Sequence, residues 1–338
     1  MKLYELQHKS GLDSLTLVSR PDPAPGPGQV LIEVKAWSLN YRDLMVAKGA
    51  YGAPPPLGRI PLSDGVGEVV GIGAGVTRAK VGDRVAGCFM QGWIGGDITP
   101  ELWATAMGGA IDGMLAQYAV LTEQGVVQVP AHMTDEEAAT LPCAGVTAWN
   151  ALVRKAHIRA GDTVLLLGTG GVSLLALQMA KLHGARTIIT SSSEEKLETA
   201  KRLGADETIN YRANPAWEKV VLEITGGRGA DIVVEVGGAG TFDKSLAAVR
   251  MGGSVCMIGV LTGVSASVST AAILRRSINV YGIYVGSREM FDEMNCAFSL
   301  HRVRPYIGKR FAFDEARLAY DYLASAAHTG KVVLHAQW

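Results

Sequence analysis

Residues Val164–Ser173 read VLLLGTGGVS and continue into LLALQMAKLHGA (174–185) and RTIIT (186–190). An apolar strand that stops at Gly168, with a helix beginning within three residues, leaves the first helical amides free where a pyrophosphate can bind. Gly168 permits the tight turn, Gly170 lets backbone approach a phosphate, and Gly171 removes a side chain beside it. Gly168, Gly170, Gly171 and Val172 are therefore candidate cofactor-binding positions. Ser173 occupies the place of the third glycine of a dinucleotide fingerprint, where a small residue is tolerated. Glycine-rich strand-to-helix turns also occur in proteins without nucleotide, so the motif takes its weight from the elements around it.

Downstream, EEKLETAKRLGA, DETIN, PAWEKVVLEITGG, DIVVEVGG, TFDKSLAAVRMGG and SVCMIGV alternate amphipathic helical patterns with short β-rich runs. That alternation predicts an α/β doubly wound parallel sheet, a Rossmann domain. Gly237 with Gly238, and Gly259, come just after the fourth and fifth predicted strands, on the edge where open sheets bind ligands. Each reads equally as an ordinary helix-start glycine.

The tip of the second strand bears on cofactor choice. A site for NAD places an acid about 20 residues beyond the glycines to accept from the ribose 2′-hydroxyl; here Ser191, Ser192 and Ser193 stand in that place. Lys196 lies one turn further and Tyr211 is in the segment INYR, so a 2′-phosphate meets donors rather than a carboxylate. NADPH is the expected cofactor, with NADH the less favoured one. Ser193 as a helix cap and Lys196 as a solvated lysine account for the same residues.

The chain has 338 residues, 48% of them hydrophobic, enough for two cores. Lys plus Arg and Asp plus Glu both number 32, a balance that offers no field for nucleic acid or an anionic membrane and points to a small-molecule partner. Cys88, Cys143, Cys256 and Cys296 are far apart without zinc-ribbon spacing, which suits a reduced, cytoplasmic protein. MKLYELQHKSG at the start has no signal-peptide pattern and no stretch has the length of a transmembrane span, so a soluble, unprocessed chain is expected. The first ~120 residues alternate β-like runs such as QVLIEVKAWSLN and GVGEVVGIG with the clusters PDPAPGPG and GAPPPLGRIP, an irregular and mostly β texture. A helical segment from Asp135, capped by Thr134 or Asp135, leads to the parallel sheet, and the last ~50 residues, ending in KVVLHA, are expected to return to the first domain.

Six segments in order, NYRDL (40–44), DGVGEVVGIGAGVTRAKVGDRV (64–85), LPCAGVTAWNAL (141–152), GTGGVSLLALQMAKLHGA (168–185), LGADETINYR (203–212) and GKVVL (330–334), resemble the medium-chain dehydrogenase/reductase superfamily, in its quinone oxidoreductase and zinc-type alcohol dehydrogenase-like branch. The resemblance implies a GroES-like catalytic domain over 1–124, completed by 288–338, a Rossmann domain over 125–287, and a cleft where nicotinamide meets substrate. Zinc-dependent members hold their metal from positions that here carry Asn40, Ser63 with Asp64, and Cys143, and the region 89–111 contains no cysteine for a structural metal lobe. Three protein ligands are needed for a catalytic Zn²⁺, so no zinc is expected.

By the same resemblance Tyr51, in KGAYG, matches the proton-donor tyrosine of related enoyl thioester reductases. Asn40 matches an asparagine beside the nicotinamide ribose, and Thr147 a donor toward the nicotinamide carboxamide. Tyr51 and Asn40 are the candidate catalytic residues, although a loop aromatic and an Asx-turn residue describe them as well. Arg42 and Asp43 are expected to hold the turn, and Trp93, Trp103 and Met107 to line a substrate wall. The reading is an NADPH-dependent, zinc-independent oxidoreductase that reduces a quinone or α,β-unsaturated carbonyl. The alternatives are an alcohol dehydrogenase and a nucleotide-binding sensor or nucleic-acid-binding relative without turnover. A homodimer joined near NVYGIYVG (279–286) is also expected.

Overall fold

The computed structural model describes residues 1–7, 10–52 and 54–338. Its strands are β1 (Lys2–Leu6), β2 (Leu15–Ser19), β3 (Gln29–Leu39), β4 (Asp64–Ile72), β5 (Arg84–Gly87), β6 (Tyr118–Thr122), β7 (Val126–Gln128) and β8 (Thr163–Leu166). They continue as β9 (Arg186–Ser191), β10 (Glu207–Asn210), β11 (Ala230–Glu235), β12 (Val249–Met257), β13 (Asn279–Gly282), β14 (Ile307–Ala312) and β15 (Lys331–His335). The chain divides into one unit of Met1–Val146 with Gly286–Trp338 and a second of Thr147–Val285.

The second unit is a six-stranded parallel sheet in the order β10-β9-β8-β11-β12-β13. β8 and β11 are buried along their whole length, which is why their centres, residues 164–166 and 232–234, read as continuous apolar runs rather than alternating ones. The helix Gly171–Leu182 buries Leu174, Leu175, Leu177 and Met179. The winding reverses between β8 and β11, so their carboxyl ends flank the switch point where such sheets bind ligands.

In the first unit β3 carries the alternation Val30, Ile32, Val34 into the core. It pairs with β4, β6 and β15 in a mixed seven-stranded sheet. The C-terminal strand β15 lies between β14 and β3, so the end of the chain completes the sheet begun near its start. Residues 125–146, grouped by the sequence with the nucleotide-binding half, lie in this unit. The short strand β7 pairs with β5 at the sheet edge, and three residues are too few to leave a periodic signal.

Thr134 caps the helix Asp135–Ala139 in a capping box with Glu137. The next segment is not one regular helix: Leu141–Gly145 and Asn150–Lys155 are π-type turns around Val146–Trp149. Pro142 supplies no amide to the helical ladder, and a wider turn accommodates the loss. Among the described residues all four cysteines are free, Cys88, Cys143 and Cys256 buried and Cys296 exposed, and no helix is long and apolar enough to cross a membrane.

Candidate active site

At the carboxyl edge of β8, Gly168 has φ +72°, a conformation that favours glycine. Gly170 is the N-cap of the helix Gly171–Leu182, and a Cβ built there meets nothing within 4 Å. The space beside Gly170 is thus open just ahead of the first turn of this helix, the part of a helix that favours an anion. Ser173 is buried and its hydroxyl donates to the Leu167 carbonyl at 2.7 Å, which explains how a serine replaces glycine where helix meets strand.

Gly237 and Gly259 have a reason internal to the fold. A Cβ at Gly237 would lie 2.3 Å from Thr241 Oγ1, and one at Gly259 would lie 2.1 Å from the Val236 carbonyl oxygen. Between them sits Glu235, fully buried, whose carboxylate accepts from the amides of Gly237 (2.7 Å) and Gly238 (3.0 Å) and from the hydroxyls of Thr241 (2.7 Å) and Ser245. Glu235 organises this turn and escaped the sequence reading. Its signal was an acid in the otherwise apolar run IVVEV (232–236), where a buried polar group must find partners.

The three serines at the β9 tip have separate tasks. Ser191 is buried with its hydroxyl 3.4 Å from that of Thr169. Ser193 caps the helix Glu194–Arg202 by accepting from the Lys196 amide. Ser192 is half-buried. Tyr211 is tied to the tip by its amide, which donates to the Ser191 carbonyl at 3.0 Å. Burial pushes the Lys196 ammonium below its ordinary value. Thr147 is buried at the start of the second unit.

In the first unit Asn40 ends β3 and caps the helix Tyr41–Ala47, its amide donating to Asp43 Oδ2 at 2.8 Å. Its side-chain Nδ2 donates to Asp64 Oδ2 at 2.9 Å, and Ser63 Oγ donates to Asp64 Oδ1 at 2.8 Å. Lys331, at the start of β15, places its ammonium on Asn40 Oδ1 (2.5 Å) and the Leu39 carbonyl (2.8 Å), with Asp64 Oδ2 at 3.8 Å. All three side chains are buried. Tyr51 is half-buried with the Arg42 guanidinium 5.3 Å from its ring centroid, and Arg42 also lies 4.9 Å from the Phe89 ring. Arg42 further donates to Asp43 and to the Met107 carbonyl, so it fixes both the turn and the loop beyond Phe89. Of the three apolar residues expected to line a substrate wall, Trp103 is exposed, while Trp93 is buried with its indole N–H on the Gly96 carbonyl. Met107 is a correction: it is fully buried in the hydrophobic core of the first unit, because an apolar side chain in an irregular loop still finds the core when its backbone is anchored there, as the Arg42 bond does.

Residues 26–131 match the family described as alcohol dehydrogenase GroES-like domain, and residues 171–299 that described as zinc-binding dehydrogenase. A zinc-type alcohol dehydrogenase-like protein of Schizosaccharomyces pombe is 42% identical over 332 residues, 96% of each chain. The chain belongs to the medium-chain dehydrogenase/reductase family. A quinone oxidoreductase of Pseudomonas aeruginosa is 34% identical across 92% of each chain. The crystal structure of an NAD-dependent alcohol dehydrogenase is 33% identical, with a TM-score of 0.90 over 99% of each chain. As a medium-chain dehydrogenase/reductase with a GroES-like and a Rossmann domain, the protein is an NAD(P)H-dependent oxidoreductase.

The zinc of metal-dependent members of this family does not fit the residues present. Their ligand positions do meet, but they bring an amide, a hydroxyl, one carboxylate and one thiol, with a lysine ammonium bonded among them. Burial, and then the Asp64 carboxylate, push the Cys143 thiol well above its ordinary value, away from the thiolate that binds metal. Among the described residues no group of three His, Cys, Asp or Glu side chains is arranged to hold a metal ion.

Burial raises the Asp64 carboxyl to about 6, with Lys331 opposing. Asp64 thus binds its proton more tightly folded than unfolded, and its contribution to stability, fully present below the ordinary value of 3.8, is lost as pH rises through 6. The stability of wild type relative to Asp64→Asn, read by urea unfolding, is expected to fall by roughly 3 kcal/mol from acid to neutral pH. A difference that does not change with pH would sink this account of Asp64.

Proposed function

We propose that this oxidoreductase uses NADPH to reduce a quinone or an α,β-unsaturated carbonyl compound without zinc. One observation carries the reading: the positions that hold the metal in zinc-dependent members here close on one another through Asn40, Asp64 and Lys331. Reducing a simple ketone or aldehyde requires strong polarisation of its carbonyl, by a Lewis acid or a strong proton relay. Conjugate reduction needs only a proton for the oxygen or carbon of the developing enolate. Resemblance to a quinone oxidoreductase supports the same direction.

Bound to this chain, NADPH supplies the hydride. Gly168, Gly170, Gly171 and Val172 would receive its pyrophosphate, and Ser192, Ser193, Lys196 and Tyr211 its 2′-phosphate. Thr147, Gly237 and Gly259 would line the cofactor, and Asn40 would hold the nicotinamide ribose. Tyr51 is the proton donor or the phenol that orients the substrate. Arg42, stacked on its ring, holds it in place. We also propose a cytoplasmic location, supported by the free cysteines, and a homodimer through β13. That strand pairs with β12 alone at the sheet edge and exposes Val280.

The reading is tested by titrating metal-analysed protein with NADPH and NADH, then adding a quinone, an enone, or an alcohol with NADP⁺ and NAD⁺. The expected result is tighter binding of NADPH and its oxidation by the quinone or enone. Turnover of the alcohol alone would favour the activity of the NAD-dependent relative, and tight binding with no turnover would favour a sensor. Tyr51→Phe is expected to lower kcat by about 100-fold, the scale of a lost general acid, with NADPH affinity unchanged. A kcat within threefold of wild type would remove Tyr51 from the chemistry.

A further inference from the structure

Asn40 lies between two groups of opposite hydrogen-bonding character. On one side the Lys331 ammonium has three hydrogens and nothing that accepts; on the other, the ionised Asp64 carboxylate only accepts. With Oδ1 on Lys331 and Nδ2 on Asp64, both contacts are satisfied. The flipped amide would set NH₂ against ammonium and oxygen against carboxylate, opposing both at once. The backbone is fixed as well, since the Asn40 amide is held by Asp43 and its carbonyl accepts from the Asp43 amide at 3.0 Å. The capping box also turns the Asn40 side-chain oxygen toward the Asp43 amide; among the described residues one Nδ2 hydrogen remains, and its direction is set by the ion pair.

Lys331 is itself held. It is 3% exposed, and its second hydrogen is spent on the Leu39 carbonyl. An ammonium so withdrawn from water needs compensation, and Asp64 is the acid that supplies it. A lysine there serves the polar pocket rather than solubility.

We propose that Lys331 is a positioning residue of this oxidoreductase: with Asp64 it locks the Asn40 carboxamide in a single orientation and so fixes the hydrogen-bonding pattern that Asn40 presents to the cofactor ribose. The inference rests on the proposed placement of Asn40 beside that ribose. It also states what the chain has in the place of a metal: an internal cation that orders a binding residue.

NADPH dissociation constants of wild type, Asn40→Ala, Lys331→Met and the double variant test it. Each single change is expected to weaken NADPH by a similar factor, about fivefold or more. The double variant is expected to be no weaker than Asn40→Ala, because Lys331 acts through Asn40. Effects that multiply in the double variant would overturn the inference. So would weakened binding in Asn40→Ala beside unchanged binding in Lys331→Met. Unchanged binding in Asn40→Ala would overturn the placement of Asn40, and the inference with it.

Lys331→Met leaves Asp64 buried without its cation, so Lys331→Met/Asp64→Asn, neutral at both positions, separates folding from positioning. Its melting temperature is expected to return toward wild type while NADPH binding stays weak. Recovery of both would reduce Lys331 to a structural charge and overturn the inference.

Discussion

Gly170→Asp is expected to abolish measurable NADPH binding while the thermal transition of the protein stays where it is. Gly170 has φ −78° and ψ −176°, a conformation open to any residue, and a side chain there meets nothing within 4 Å. It is also the N-cap of the helix Gly171–Leu182, a position at which aspartate is among the best residues. The folded chain therefore gains a cap and loses nothing. The cofactor site would lose on two counts: the new carboxylate competes for the first helical amides as a cap, and it repels a pyrophosphate at this helix end. A loss of at least about 100-fold, about 2.7 kcal/mol, is expected from fluorescence titration, with calorimetry showing an intact fold. Gly168→Ala should do the opposite, costing about 1–2 kcal/mol of stability because φ there is +72°. Affinity retained within threefold in Gly170→Asp would mean that the pyrophosphate does not use this helix end.

The parallel sheet was legible because its chemistry is local. A strand buried on both faces is centred on apolar residues, and the turns that leave it here need glycine, so β8 and β11 announce themselves within a few residues. The pocket around Asn40 was legible only in part. Asn40, Ser63 and Asp64 were singled out, but Lys331 stands 291 positions from Asn40, and nothing in the five residues GKVVL says which strand it will pair with. β7 failed for a related reason: its identity as a strand comes from the partner β5, not from its own three residues. Met107 misled because hydrophobicity marks a residue as wanting burial without saying whether core or ligand will provide it. At Gly237 and Gly259 the sequence offered a cofactor edge or an ordinary helix start, and the structure adds crowding by Thr241 and by the Val236 carbonyl as a reason for glycine.

Ser192→Asp is expected to reverse cofactor preference. Of the three hydroxyls at the β9 tip, Ser191 is buried beside Thr169 and Ser193 is committed to capping. Ser192, half-buried between them, has neither task and is the serine where a carboxylate disturbs the fold least. A carboxylate there stands just before the N-terminus of the helix Glu194–Arg202, a favourable place for negative charge, so the fold should accept it. A 2′-phosphate, carrying nearly two negative charges at neutral pH, would face that carboxylate at close range, whereas the 2′-hydroxyl of NADH would gain an acceptor. NADPH is expected to weaken by at least about 100-fold, about 2.7 kcal/mol, and NADH to bind as well as before or better. Lys196→Ala separates attraction from repulsion, because it removes a cation without adding an anion. It should weaken NADPH by about tenfold and leave NADH unchanged. If Ser192→Asp leaves the ratio of the two affinities unaltered, the β9 tip does not contact the 2′ position, and the absence of an acid there loses its meaning for cofactor choice.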